Sequence, residues 1–220
     1  MKTHMSLMAV IAASLIGSAA LAHQSHAPPP ARTGVDISAK TDPTVKLKMA
    51  MRKLWEDHIV WTRLYIVSAA AGLPDADQAA QRLLRNQADI GDAIKPFYGD
   101  AAGTQLTALL RGHILTAATL VGAAKSGDTT AVNAASKAWY ANADSIATFL
   151  SAANPRNWPV AALQSAMRMH LDLTLKEASA RLHGDWAADI AAYDAVHQHI
   201  LQMADVLSDG IIKQFPTRFN

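Results

Sequence analysis

The chain has 220 residues with 20 basic and 18 acidic side chains and no cysteine. That charge balance argues against a nucleic-acid partner, whose phosphates call for a clustered basic face, and against a polybasic membrane-surface patch. The absence of cysteine excludes disulfides and thiolate metal ligands.

In chain order, residues 1–22 read as a secretory signal: Lys2 supplies the basic start, 7–16 the short apolar run, and Ala20-Leu21-Ala22 the small-residue cleavage site. The run is too short to favour a stable membrane anchor, so the expected location is periplasmic or secreted. Residues 23–44 read as a flexible linker, punctuated by Pro28-Pro29-Pro30, Gly34 and Pro43 and lacking a 3.6-residue apolar period. The remaining residues, 45–220, are enough for one helical domain with a sizeable core.

Six helices are expected there. The first, over 45–71, carries Leu47, Met51, Leu54, His58, Trp61 and Tyr65 at three- and four-residue steps; Gly72 stops it and Pro74 blocks continuation. The second opens at Asp75 or Asp77 and ends at Lys95, before Pro96 and Gly99. The third starts near Thr104, places Leu106, Leu109, Leu110, His113, Ala117 and Leu120 on one face, and stops at Gly127. Asp128 or Thr129 opens the fourth, which ends at Asn154-Pro155. The fifth follows Pro159, carries Leu163, Met167, His170, Thr174 and Glu177, and stops at Gly184. Asp185 caps the sixth, which runs to about Phe215. No segment shows the two-residue alternation of strands, so the fold class is all-α, a six-helix bundle built from three repeated helical hairpins.

One spacing recurs through these hairpins. His58, His113 and His170 each precede a glycine by 14 residues, at Gly72, Gly127 and Gly184. Asp89 and Asp144 lie 31 residues after the first two histidines and His199 lies 29 after the third, which puts the second set at intervals of 55. At a rise of about 1.5 Å per residue, both arms of each hairpin reach similar heights. His58, Asp89, His113, Asp144, His170 and His199 are therefore expected in one layer of the bundle core. Imidazole and carboxylate suit zinc, copper, iron or nickel, with the aspartates completing the shell or orienting the rings. His197 and His199 cannot share a helix face, and an alignment that matches Asp205 to Asp89 and Asp144 would remove His199 from the set. Trp55 and Trp61 read as core or helix-contact residues, Met49, Met51, Met167, Met169 and Met203 as gap-filling core, and Glu177 as an extra ligand or the partner of an arginine.

The runs LWEDHIVWTR, RLLRNQADIGDAIKPFYG, WYANADSIATFLSAANP and DGIIKQFP resemble a family of secreted bacterial helical proteins without an established function, some of them labelled glycosyltransferases. The resemblance implies export and a helical fold, and it supplies no catalytic residues. No nucleotide-sugar, nucleophile, P-loop or dinucleotide motif is present. The leading expectation is an exported bundle that binds a transition metal through its His/Asp layer. The alternatives are a structural or partner-binding bundle with buried His–Asp hydrogen bonds, and a metal-dependent enzyme.

Overall fold

Asp42 starts the first helix two residues earlier than the apolar period alone suggests. Its side chain accepts a hydrogen bond from the Thr44 N–H at 2.7 Å, and Pro43 takes the first helical position, where a missing N–H leaves no bond unmade. The computed structural model describes residues 42–220; the expectations for the leader and for the linker up to residue 41 lie outside them. Pro43 and Thr44, expected in the linker, belong to helix α1 (Pro43–Ala71). Helix α2 (Ala76–Tyr98) runs three residues past its expected stop. Pro96 is accommodated in its last turn, where the ring removes only one backbone bond. Helix α3 (Asp100–Ser126) starts four residues before Thr104. Then come α4 (Thr129–Ala153), α5 (Val160–His183), α6 (Trp186–Gln214) and a single 3-10 turn, Pro216–Arg218. Asp128 and Asp185 cap α4 and α6 by accepting from the N–H groups of Ala131 and Ala188. The fold is all-α, with six helices and no strand among the described residues.

The three glycines that follow the histidines terminate α1, α3 and α5 with φ of 65°, 74° and 73°. That left-handed backbone costs an L-residue about 1–2 kcal/mol, which is why glycine recurs there. Each helix packs on the next in sequence, and α6 returns to α1 to close a ring; α1 also touches α3 and α5. Ion pairs set the antiparallel phase of α1 and α6, with Lys48 on Asp209 and Arg52 on Asp205, both at 2.6 Å. Helices α1, α3 and α5 therefore run parallel, and their glycine turns share one end of the bundle.

The inner stripes of these three helices are in register. Seven residues before each histidine stand Met51, Leu106 and Leu163; three before stand Trp55, Leu110 and Met167; all six are buried, whereas Met49 and Met169, expected in the core, are exposed because each lies two positions from an inward methionine. This side continues into the end opposite the glycine turns. There the buried Trp158 donates its indole N–H to the Val206 carbonyl at 3.2 Å and lies so close to Gly210 that any Cβ there would collide with it. Phe97, Tyr98, Phe215 and Phe219 close that end through ring contacts. On the glycine side the stripe thins. Thr62, Ala117 and Thr174 come four residues after the histidines, and Ile66, Val121 and Ala178 eight after. That last set forms a small cluster separate from the main core. Helix α3 is apolar enough, at a mean hydropathy of 1.4, to match a membrane span by composition; here Leu106, Leu110, Ile114 and Leu120 place its apolar face in the bundle interior.

Candidate functional site

Four imidazoles meet at mid-height in the bundle. His58 and His170 have ring centroids 5.7 Å apart, His113 and His170 6.2 Å, and His170 and His199 6.3 Å. His58, His113 and His170 are buried. Burial pushes the His58 ring down to about 3, with the neighbouring His113 adding to the effect. Burial also takes His113 to about 4 and His170 well below its ordinary value. All three are thus neutral at neutral pH.

The partners that hold this layer are amides. The Gln87 amide reaches His58 Nδ1 at 3.3 Å, and Asn142 Oδ1 lies 3.1 Å from His113 Nδ1. Asn142 donates its amide N–H to the Leu109 carbonyl at 3.1 Å, so its oxygen faces His113 and accepts the Nδ1–H. The carbonyl four residues before the histidine is also bonded in the other two helix pairs. Asn86 donates to Leu54 O at 3.0 Å, and the His199 Nε2–H donates to Ala166 O at 2.9 Å. Asn142 thus does alone what Asn86 and Gln87 share. His170 has no such amide, and its buried Nδ1 is without a hydrogen-bond partner.

His58, His113, His170 and His199 therefore stand together, as the equal heights of the hairpin arms predict. Asp89 and Asp144 do not join them. Asp89 is half exposed beside Arg82 at 3.8 Å, and Asp144 pairs with Arg168 at 2.6 Å on the surface. The physical reason is helical phase: 31 residues after the histidine is two positions past the inward one, and i,i+2 positions diverge. Gln87, Asn142 and His199 each lie 29 residues after their histidine, a signal present in the sequence at residue types less suggestive of metal chemistry. His199, not His197, is the inward member of its pair; His197 meets Glu56 at the surface, 3.2 Å away. Asp205 pairs with Arg52 instead of entering the layer. The ring planes along His113–His170–His199 lie 27° and 18° apart, a stacked arrangement. As they lie, no three His, Asp or Glu side chains among the described residues form a group able to hold a metal ion.

One helical turn toward the glycine end lies a cavity of about 480 Å³. Thr62 and Thr174, which bond the carbonyls of His58 and His170, line it together with Trp139, which packs on His113 at 5.3 Å. Its walls are otherwise mainly Ile66, Leu83, Ile114, Leu120, Val121 and Val132, with the small Ala117 and Ala178 leaving the space. The exposed lining residues are Ala124, Lys125, Ser179 and His183; they mark a mouth in the last turns of α3 and α5. On the packed side of the histidine layer the void lined by Met51, Trp55, Leu106, Leu163 and Met167 is about 20 Å³, and a separate recess of about 250 Å³ lies beside Trp158 and His199.

A charged cluster braces the same region from the side. Arg63 bonds the buried Glu177 at 3.0 Å and grips Asp189 with Nη1 and Nη2, and Arg181 adds a further contact to Asp189 at 3.3 Å. Burial raises Glu177 to about 7 against the pull of Arg63. Burial would raise Asp189 too, but Arg63 and then Arg181 hold it below its usual range. Glu177 is therefore the partner of an arginine, one of its two expected roles. No family model, curated protein or solved structure matches the chain.

Proposed function

We propose that the chain is an exported binding protein that takes a small apolar molecule into the cavity between α1, α3 and α5. The observation that carries this reading is the cavity itself. Its volume lies within the range of about 300–1,000 Å³ usual for ligand pockets, in a bundle whose axis is otherwise filled. Apolar side chains dominate its walls, and a few hydroxyls and the Trp139 ring supply orientation. Thr62, Trp139 and Thr174 form the end nearest the neutral imidazole layer and present no charge to an apolar ligand. The test is fluorescence of a neutral apolar probe, N-phenyl-1-naphthylamine, titrated into the protein with decan-1-ol as competitor. Saturable enhancement that is lost in both Ala178→Leu and Ala117→Leu supports the reading. No enhancement, or enhancement indifferent to both substitutions in folded protein, overturns it.

A second reading, transition-metal binding, is favoured by one specific observation. The Nε2 atoms of His58, His113 and His170 make no hydrogen bond to protein among the described residues, and neutral imidazole is the ligating form. His58, His113 and His170 would be the ligands and His199 the fourth, with Asn142 as the group orienting His113. The rings would have to rotate out of their stacked arrangement toward a common point. Elemental analysis of tag-free protein, with melting in the presence of zinc, copper, nickel or iron, tests it. Bound metal lost in His113→Ala supports the reading, and absence of both metal and melting shift removes it.

A further inference from the structure

We infer that the cavity's ligand is a single-chain amphiphile with an anionic head, its tail running inward to Trp139 and its head held at the mouth by Lys125. This rests on the ligand-binding reading and specifies what the site selects. The lining is asymmetric along its length. Its inner part is uncharged, with Leu83 and Ile114, the indole of Trp139, and Thr62 and Thr174 hydroxyls that bond backbone carbonyls, whereas both lining residues able to carry positive charge, Lys125 and His183, lie at the mouth. No aspartate or glutamate lines the cavity; Asp77 acts on the lining only through its charge on Tyr65, whose phenol is raised first by burial.

Lys125 is positioned for this role. Its ammonium donates one hydrogen bond to the Ala69 carbonyl at 2.7 Å, which tethers it across the mouth from α3 to the last turn of α1. An ammonium has three N–H donors, so two remain for a ligand head, and the amine has no carboxylate partner among the described residues. His183 donates its Nδ1–H to the Ser179 carbonyl at 2.8 Å, which leaves Nε2 for a ligand head. A helix-capping lysine alone would explain the tether to Ala69. It would not explain why the only ionisable lining groups of one sign gather where an otherwise apolar pocket opens. Eleven residues of α3 separate Ile114 from Lys125, or about 16 Å by the helical rise, which matches a medium-length alkyl chain.

The experiment compares three ligands with one tail, decanoate, decan-1-ol and decyltrimethylammonium, by calorimetric titration below their micelle concentrations. The proteins are the wild-type chain, Lys125→Met and Lys125→Glu. Wild type is expected to bind decanoate at least tenfold more tightly than the alcohol, and the alcohol more tightly than the cation. Lys125→Met should bring decanoate to within about threefold of the alcohol while leaving alcohol affinity unchanged, and Lys125→Glu should reverse the order of the two ions. A capping role would lower the melting temperature without changing these ratios. Equal binding of all three ligands by wild type, or a decanoate preference that survives Lys125→Met, overturns the inference and leaves the ligand-binding reading standing. Failure of all three ligands to bind removes both.

Discussion

The same three helices build a filled interior on one side of the histidine layer and a hollow one on the other. On the filled side the matched positions carry Met51, Leu106 and Leu163, then Trp55, Leu110 and Met167, and the void between these side chains is about 20 Å³. On the hollow side they carry Thr62, Ala117 and Thr174, then Ile66, Val121 and Ala178, and about 480 Å³ stays open. Helix arrangement is common to both sides. Side-chain volume at equivalent positions therefore decides where the bundle stores stability and where it leaves room. The histidines and their amides divide the two regimes, with polar side chains that are buried and mostly bonded.

The largest expected effect lies at the filled end. Trp158→Ala removes a buried indole from against Gly210 and should destabilise by about 3–5 kcal/mol, read from urea unfolding. A loss below about 1 kcal/mol would show that this end is not the tight one.

The next effect comes from the layer between the two sides. The buried histidines have folded pKa values below their unfolded value of about 6.5, so the unfolded chain binds more protons in acid. Their contribution is complete above about pH 6.5 and is lost as pH falls toward the folded values of about 3 and 4. Glu177, raised to about 7, acts with the opposite sign, since the native state then binds the extra proton between its unfolded value and 7. Stability should accordingly fall as pH drops from about 6.5 to 4. Glu177→Gln should make that fall steeper, because it removes the opposing group. A flat or shallower profile in the variant would contradict this assignment of signs.

Smaller effects separate the layer from the surface around it. Asn142→Leu leaves the His113 Nδ1–H without its acceptor and should cost about 1–3 kcal/mol. Asp144→Asn, which breaks only the exposed pair with Arg168, should cost less than about 1 kcal/mol. Equal losses would mean that the amide does not support the layer. The smallest change is expected on the hollow side. Ala178→Leu adds apolar volume where space exists, and should stay within about 1 kcal/mol of wild type, whereas overpacking a filled core typically costs about 1–3 kcal/mol. A larger loss there would argue that the cavity closes in solution.

The sequence by itself determined the helices and their common height. Apolar steps of three and four residues, proline breaks and the three glycines 14 residues past His58, His113 and His170 report local backbone energetics and the constant helical rise, so the six elements and the meeting of four imidazoles were legible. Boundaries at Pro43 and Pro96 were less so, because proline is compatible with a first or last turn as well as with a linker. The facing of the second arm was decided by tertiary structure. Asp89 and Asp144 look like the better ligands, yet two residues of helical phase place them outside while Gln87 and Asn142 point inward. Only the packed bundle decided that Glu177 would find Arg63, more than a hundred positions away in sequence. The cavity was also decided there: alanine and threonine are ordinary helix residues one at a time, and they leave a void only when three helices bring their small side chains to one level.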